Sequence, residues 1–377
     1  MKIAILGLRA IGTTSSGGVE KAVEELSTRF VAAGNEVTVF CRARYASAAG
    51  HSFRGVRIRP LPAIYTKHLE AISNTVVAVL QSLRGYDVVH INATGPALLA
   101  FIPRLFGRAV VVTVHGLDWK REKWGIFARL MLKLGARAAV SFPQRTIVCS
   151  KTLKQHYRER YGRAVEYIPN GVTVPGAGAP GMTGPPGFER GSYFLFLSRL
   201  VPEKGCHTLI EAFRGLETDR KLVIVGGHSH SGQYAEKLRQ LAAGDSRIVF
   251  AGPLYGEAKD AAYRNAYAFV LPSTIEGMAI VLLEAMSYGK CCLCSDIDEN
   301  LEVIDPAFGG EAAAAEAVGD RFRTGDAADL RDKLAFLDQN PERVTALGER
   351  ARSYVAERFD WDAIASRYLE VFREAAG

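Results

Sequence analysis

The strongest constraint on the fold is a rhythm: a short apolar run, a loop, an amphipathic stretch of helix length, then another apolar run. It begins at the N-terminus, where residues 3–6 read as a buried strand and residues 7–18 as a loop rich in Gly, Ser and Thr. Residues 19–33 follow as a helix with Val19, Ala22, Val23, Leu26 and Phe30 on one face, closed by Gly34, and residues 36–41 form the next strand. A βαβ opening of this kind predicts a parallel, doubly wound sheet. Residues 87–91, 109–114 and 145–149 read as further strands, Ser150 as the cap of a helix running to Tyr161, and residues 167–172 as a sixth strand with its exit turn. The rhythm then stops. Residues 174–187, Val-Pro-Gly-Ala-Gly-Ala-Pro-Gly-Met-Thr-Gly-Pro-Pro-Gly, offer almost nothing to a core and read as a linker.

After the break the pattern restarts, with strands expected at 193–197, 222–225, 248–250, 268–271 and 291–294 and helices at 206–216 and 279–288. A chain of 377 residues exceeds one ordinary core and suits two. The expected organisation is an N-terminal domain over 1–172, a linker over 173–190 and a C-terminal domain over 191–358. A last segment, 359–377, is expected to cross back to the first domain, with Phe359 and Trp361 at the crossing.

Charged residues at 23% and a mean hydropathy of +0.03 describe a globular protein. No apolar run reaches the ~18 residues of a spanning helix, and the N-terminus enters a strand without a signal-peptide pattern. Six cysteines without a secreted framework imply reduced thiols and a cytoplasmic address. Cys291 and Cys294 are formally C-x-x-C but read as a buried strand, and His228 and His230 have no third ligand beside them, so no metal site is expected. The net charge of +7 is unevenly spread: residues 1–172 hold 25 Lys and Arg against 10 Asp and Glu, a balance of +15, and the rest of the chain carries −8. A front half this basic points to a polyanionic partner such as an anionic membrane surface. No nucleic-acid-binding motif is present, so nucleic acid is not an expected partner.

The first loop, Gly7-Leu-Arg-Ala-Ile-Gly12, lacks the G-x-G-x-x-G spacing of a dinucleotide site, which argues against a nicotinamide dehydrogenase. Gly17 and Gly18 sit at the start of the following helix, where they either receive a phosphate at the positive dipole end or simply turn the chain. His115, at the carboxyl end of a strand, lies where open α/β sheets place their ligands, whereas His90, inside a strand, reads as a core histidine. The basic residues Lys120, Arg121 and Lys123 between Trp119 and Trp124, just after Asp118, either bind a pyrophosphate-bearing or membrane-bound acceptor or form an exposed basic turn.

The richest stretch in chemistry is residues 269–289. A strand ends at Pro272-Ser273, a loop carries Glu276-Gly277, and a helix holds Glu284 within the apolar run Val281-Leu-Leu-Glu-Ala-Met. A carboxylate in such a run is unfavourable unless something hydrogen-bonds it, and a ribose diol or sugar hydroxyl would serve.

Residues 272–289 resemble the E-x7-E signature of retaining glycosyltransferases of family 4, Pro-Ser-x-x-Glu-Gly-x5-Leu-Glu-Ala-Met-x-x-Gly. The likeness extends to Ser198-Arg199-Leu-Val-Pro-Glu-Lys204-Gly205, with Ser198 in place of the usual Gly, and to Ile168-Pro-Asn-Gly-Val172. It implies a GT-B fold, two Rossmann-like domains facing a central cleft. It further implies that Glu276 faces the transferred sugar, Glu284 holds the ribose, Arg199 and Lys204 grip the diphosphate, and His115 contacts the sugar. Gly277, Met278 and Ala279 at the helix mouth, Gly18 in the first loop, and Tyr255, ending a segment whose backbone reads the base, complete the implied donor site. The acceptor would meet Gly17, Asp118, Lys120, Arg121 and Lys123, in a segment similar to the subgroup that builds O-antigen, capsule or exopolysaccharide glycans.

The expected activity is therefore retaining transfer of a sugar from a UDP-, GDP- or dTDP-linked donor to a hydroxyl of a glycan or lipid-linked acceptor. No cofactor or metal is expected, because cationic side chains replace it, and the expected address is cytoplasmic or peripheral at the inner membrane face. The alternatives are a nucleotide-sugar epimerase of the same architecture and a non-catalytic nucleotide-sugar-binding protein.

Overall fold

The computed structural model describes residues 1–13, 17–46, 51–66, 69–121, 124–176, 188–227, 232–308 and 316–377. The chain divides into two compact units, one formed by Met1–Gly171 with Trp361–Gly377 and the other by Val172–Asp360. Most of the stretch read as a linker, 177–187, lies outside the described residues.

The first unit runs β1 (Lys2–Leu6), α1 (Gly18–Ala32), β2 (Glu36–Arg42), β3 (Ser52–Phe53), β4 (Val56–Leu61), α2 (Glu70–Ser82) and β5 (Val88–Asn92). It continues through α3 (Thr94–Ala97), α4 (Phe101–Leu105), β6 (Ala109–Val114), α5 (Ile126–Ser141), β7 (Arg145–Val148), α6 (Lys151–Tyr161) and β8 (Glu166–Tyr167). The strands form one sheet in the order β3-β4-β2-β1-β5-β6-β7-β8. Pairing is parallel throughout except for the edge hairpin β3–β4. That hairpin corrects the sequence reading, which passed from β2 directly to β5. Tyr167 therefore belongs to an eighth strand rather than a sixth, and that strand is only two residues long. Ser150 caps α6 as expected, accepting from the Leu153 amide at 3.2 Å.

The second unit runs β9 (Tyr193–Leu197), α7 (Cys206–Arg214), β10 (Lys221–Val225), α8 (Gln233–Ala242), β11 (Ile248–Gly252), α9 (Gly256–Asn265) and β12 (Ala268–Leu271). After it come α10 (Ile280–Ser287), β13 (Cys291–Ser295), α11 (Asp298–Ile304), β14 (Asp320–Phe322), α12 (Ala327–Gln339) and α13 (Pro341–Arg358). Its sheet is wholly parallel in the order β11-β10-β9-β12-β13-β14. Phe194, Phe196, Leu209, Phe213, Leu222 and Leu293 are fully buried in its core. All six cysteines are buried and none forms a disulfide, with Cys291 and Cys294 inside β13, as the strand reading had them.

The last helix, α14 (Trp361–Ala376), packs on the first unit beside α1 and across β5 and β6. Phe372 meets the Phe30 ring edge-on at 5.4 Å and the His90 ring at 5.1 Å. The crossovers from β4 to β7 place α2, α3, α4 and α5 on the opposite face. Gly135 lets α5 sit hard against α3, since a Cβ there would lie 2.2 Å from the Thr94 carbonyl oxygen.

Candidate active site

In each unit the strand order reverses beside the first strand, and the carboxyl ends of the strands at such a reversal are where open α/β sheets place their ligands. The candidate residues collect at these two points.

In the second unit the reversal lies between β9 and β12. The loop after β9 carries Arg199 and Lys204, and the loop after β12 carries Glu276. The sequence places them 72 residues apart, yet Lys204 Nζ is ion-paired with Glu276 Oε1, both side chains mostly buried. Backbone contacts hold the two loops together: the Thr274 amide donates to the Glu203 carbonyl at 3.0 Å. Gly205, at φ +66°, is the point of closest approach, because a Cβ there would lie 1.9 Å from the Pro272 carbonyl oxygen. Ser198 fits where its resemblance group has Gly. It is buried, its amide donates to the Val225 carbonyl at 3.1 Å, and the Leu200 amide donates to the Gly227 carbonyl at 3.0 Å. Arg199 is exposed on the same loop.

Beyond Glu276, Gly277 is half-buried, Met278 and Ala279 are buried, and Ala279 is the N-cap of α10. Glu284, just over one turn into that helix, is already partnered: Lys259 Nζ donates at 2.8 Å and the Tyr263 hydroxyl at 3.0 Å. The partners expected from ligand alone are thus supplied first by α9. Burial, then the Glu284 carboxylate, holds the Tyr263 phenol well above its ordinary range, so it is a firm donor. Lys259 and Tyr263 were missed in the sequence, which carries no signal that α9 faces α10. We expect Tyr263→Phe to raise the donor KM about 5- to 10-fold with little change in kcat, the loss of one hydrogen bond to a charged group. A change confined to kcat, read from initial rates over donor concentration, would contradict this placing of Glu284. Tyr255, also expected at the donor, is exposed and caps α9.

In the first unit the reversal lies between β1 and β5. Gly7 leaves β1 at φ +96° with its missing Cβ only 2.3 Å from the Asn92 carbonyl oxygen, and the next residue, Ala93, sits at φ +105° and ψ 154°. That conformation is strained for a side-chain-bearing residue and occurs where surrounding structure enforces it. His115, at the end of β6, places Nε2 3.0 Å from Asn92 Oδ1. With the amide oxygen accepting, the imidazole proton sits on Nε2, and burial pulls His115 down to about 4 against the opposing charges of Asp118 and Glu20. Asn92 is a positioning residue that the sequence reading missed.

His90 is buried as expected, but only half satisfied: Nε2 lies 2.8 Å from Thr113 Oγ1, and Nδ1 has no hydrogen-bond partner among the described residues. Burial pulls it down to about 3. Both histidines are neutral in the folded protein and protonate near 6.5 once unfolded. The unfolded chain therefore binds more protons across that interval, and stability falls as pH drops from about 6.5 towards 3. Urea midpoints at pH 7, 5.5 and 4.5 are expected to fall more steeply in the parent protein than in His90→Asn. Equal slopes would place the acid sensitivity elsewhere.

Gly17 and Gly18 lie at the start of α1, but the Gly17 amide donates to Glu20 Oε2 at 3.1 Å and the Arg9 amide to Glu20 Oε1 at 3.3 Å. The helix thus brings its own anion to the spot where a phosphate was one of two readings. Asp118 accepts from Thr94 Oγ1 at 3.3 Å and pairs with Arg121 at 3.3 Å, while Lys120 is exposed. Lys123, His228 and His230 lie outside the described residues. Among the described residues no three His, Cys, Asp or Glu side chains come together as a metal site requires.

Residues 185–354 match the family described as glycosyl transferases group 1, and residues 16–174 match glycosyltransferase family 4. The chain is 29% identical over 388 residues to a phosphatidyl-myo-inositol mannosyltransferase of Mycobacterium leprae, covering 96% of this chain and 94% of that one. It is 28% identical over 316 residues to a GDP-mannose-dependent alpha-(1-6)-phosphatidylinositol monomannoside mannosyltransferase of Mycobacterium tuberculosis, covering 76% of each. In fold it is similar to Anabaena HepE, solved in complex with UDP and glucose, with a TM-score of 0.79 at 18% identity over 99% of this chain and all of that one. With a family 4 domain over the first unit and a group 1 domain over the second, the chain is a glycosyltransferase of GT-B fold.

Proposed function

We propose that the protein transfers a hexosyl group, with retention and without a metal, from a nucleoside diphosphate sugar to a hydroxyl of a membrane lipid. GDP-mannose is the proposed donor and a phosphatidylinositol-type lipid the proposed acceptor. The two mannosyltransferase relatives support both choices, and they favour an inositol lipid over the polysaccharide acceptor suggested by residues 118–124. The observation that carries the reading is the Lys204–Glu276 pair at the β9/β12 reversal. A cation there meets the leaving diphosphate, and a carboxylate beside it meets the sugar hydroxyls. Lys204 and the N-terminus of α10 stabilise charge developing on the leaving phosphate. That phosphate takes the acceptor proton on the same face of the sugar, so no enzymic nucleophile is needed. The +15 balance of residues 1–172 supports an acceptor presented at an anionic membrane.

Calorimetry with GDP, UDP, ADP, dTDP and NAD in the presence of chelator tests this. Micromolar binding of GDP is expected. Binding of NAD alone, or of no nucleotide, overturns the reading. Turnover that vanishes on chelation and returns with Mg²⁺ overturns the metal-free part. Conversion of the donor to an epimer without acceptor would make the enzyme an epimerase.

A further inference from the structure

Among the described residues, twelve of the fourteen large apolar side chains left exposed lie between Ile64 and Leu134, so they form a regional feature of the first unit rather than ordinary scatter. The densest part is α5, which is built inside out. Its buried residues are Gly135, Ala136, Ala138 and Ala139, Met131 and Leu132 are partly buried, and four bulky residues point away from the protein: Ile126 is 89% exposed, Phe127 76%, and Leu130 and Leu134 about half. At 3.6 residues per turn these four occupy a sector about 100° wide. Arg129 and Lys133 flank it and Arg137 closes its far end, all exposed, and α5 contains no acidic residue. Phe101, which begins α4, is packed edge-on against Phe142 at the end of α5, at 5.5 Å, and carries the apolar surface on towards the exposed Leu105 and Phe106 beside Arg104.

A surface helix of a water-soluble protein turns its apolar stripe inward. One with small residues inward, a bulky stripe outward and cations along its edge has the pattern of a helix lying in a lipid headgroup layer. We infer that α5 is the membrane-docking element of this enzyme, inserting Ile126, Phe127, Leu130 and Leu134 into an anionic bilayer while Arg129, Lys133 and Arg137 meet the lipid phosphates. Charge decides between this occupant and a second copy of the chain. A two-fold contact through α5 would set its arginines and lysine against their own copies with no carboxylate on the helix to pair them. An anionic lipid surface supplies the missing charge. The inference deepens the proposed function by naming the surface through which its membrane is met, and α5 follows directly on the segment from His115 to Lys120.

The test is co-sedimentation with phosphatidylcholine vesicles and with 1:1 phosphatidylcholine–phosphatidylglycerol vesicles, at low and high salt. The parent protein is expected to bind the anionic vesicles and to keep part of that binding at high salt, because apolar insertion is not screened. The double substitution Phe127→Ser/Leu130→Ser is expected to lower the salt-resistant part at least about 10-fold, with nucleoside diphosphate affinity unchanged. Lys133→Glu/Arg137→Glu is expected to abolish the preference for phosphatidylglycerol. Three results overturn the inference: wild-type binding by the apolar variant, complete loss of parent binding at high salt, or a parent dimer that the apolar variant converts to monomer. Failure of the parent to bind any nucleotide would instead count against the proposed function, and the vesicle result would stand apart from it.

Discussion

Lys204→Ala is expected to lower turnover at least about 100-fold, the scale of losing one group that stabilises transition-state charge. The substitution acts in two ways, and a second variant separates them. Lys204 Nζ is paired with Glu276 Oε1, and the two side chains are 12% and 8% exposed. Removing the lysine alone leaves a largely buried carboxylate without its counter-ion, which destabilises the fold as well as the reaction. Removing both charges relieves that penalty. Lys204→Ala/Glu276→Ala is therefore expected to melt above Lys204→Ala while staying as inactive. Turnover within a few-fold of the parent in the single variant would remove Lys204 from the chemistry. Stability that fails to recover in the double variant would mean that the pair is not coupled as the geometry has it.

The second large effect is Gly205→Ala. Two independent penalties meet at this residue, a backbone at φ +66° and a Cβ placed 1.9 Å from the Pro272 carbonyl oxygen. A left-handed conformation costs about 1–2 kcal/mol for a residue with a side chain. Overpacking against backbone adds about 1–3 kcal/mol, since no rotamer can relieve it. A loss of about 3 kcal/mol is expected, seen as a lower urea midpoint of the second unit. Activity should fall further than stability, because the clash pushes apart the loops that carry Lys204 and Glu276. By contrast Gly162→Ala, at φ +63° with open space around it, bears only the conformational penalty and serves as the control. Equal losses at both positions would mean that the β9 and β12 loops are not locked together.

Both halves of the architecture were legible where strands are apolar along their whole length. Val88–Asn92, Ala109–Val114, Tyr193–Leu197 and Ala268–Leu271 are buried almost throughout and stood out as such. The hairpin β3–β4 was not. Val56-Arg-Ile-Arg-Pro-Leu alternates buried and exposed positions at the sheet edge and contains a proline, so it lacks the continuous apolar run that marks a central strand. In the site, the residues themselves were readable and their partners were not. Glu284 announced itself as a carboxylate in an apolar helix, but Lys259 and Tyr263 reach it from α9, a relation fixed only by packing. Asn92 reaches His115 because β5 and β6 are neighbours, 23 residues apart along the chain. The net charge of the front half was visible in composition. The outward turn of α5 was not, because a periodic apolar stripe has the same pattern whether it faces core or solvent.

The first unit is discontinuous: residues 361–377 complete what residues 1–171 begin, and the second unit is inserted between them. During synthesis this sets an order. When residue 360 has emerged, the second unit has every strand and helix it needs, while the N-terminal sheet, though made first, still lacks the helix that covers Phe30 and His90. The nascent N-terminal segment must wait with that face open until residues 361–377 leave the ribosome. A ribosome stalled with residues 361–377 still inside it would therefore carry a finished second unit and an unfinished first one, the reverse of the order in which they were made.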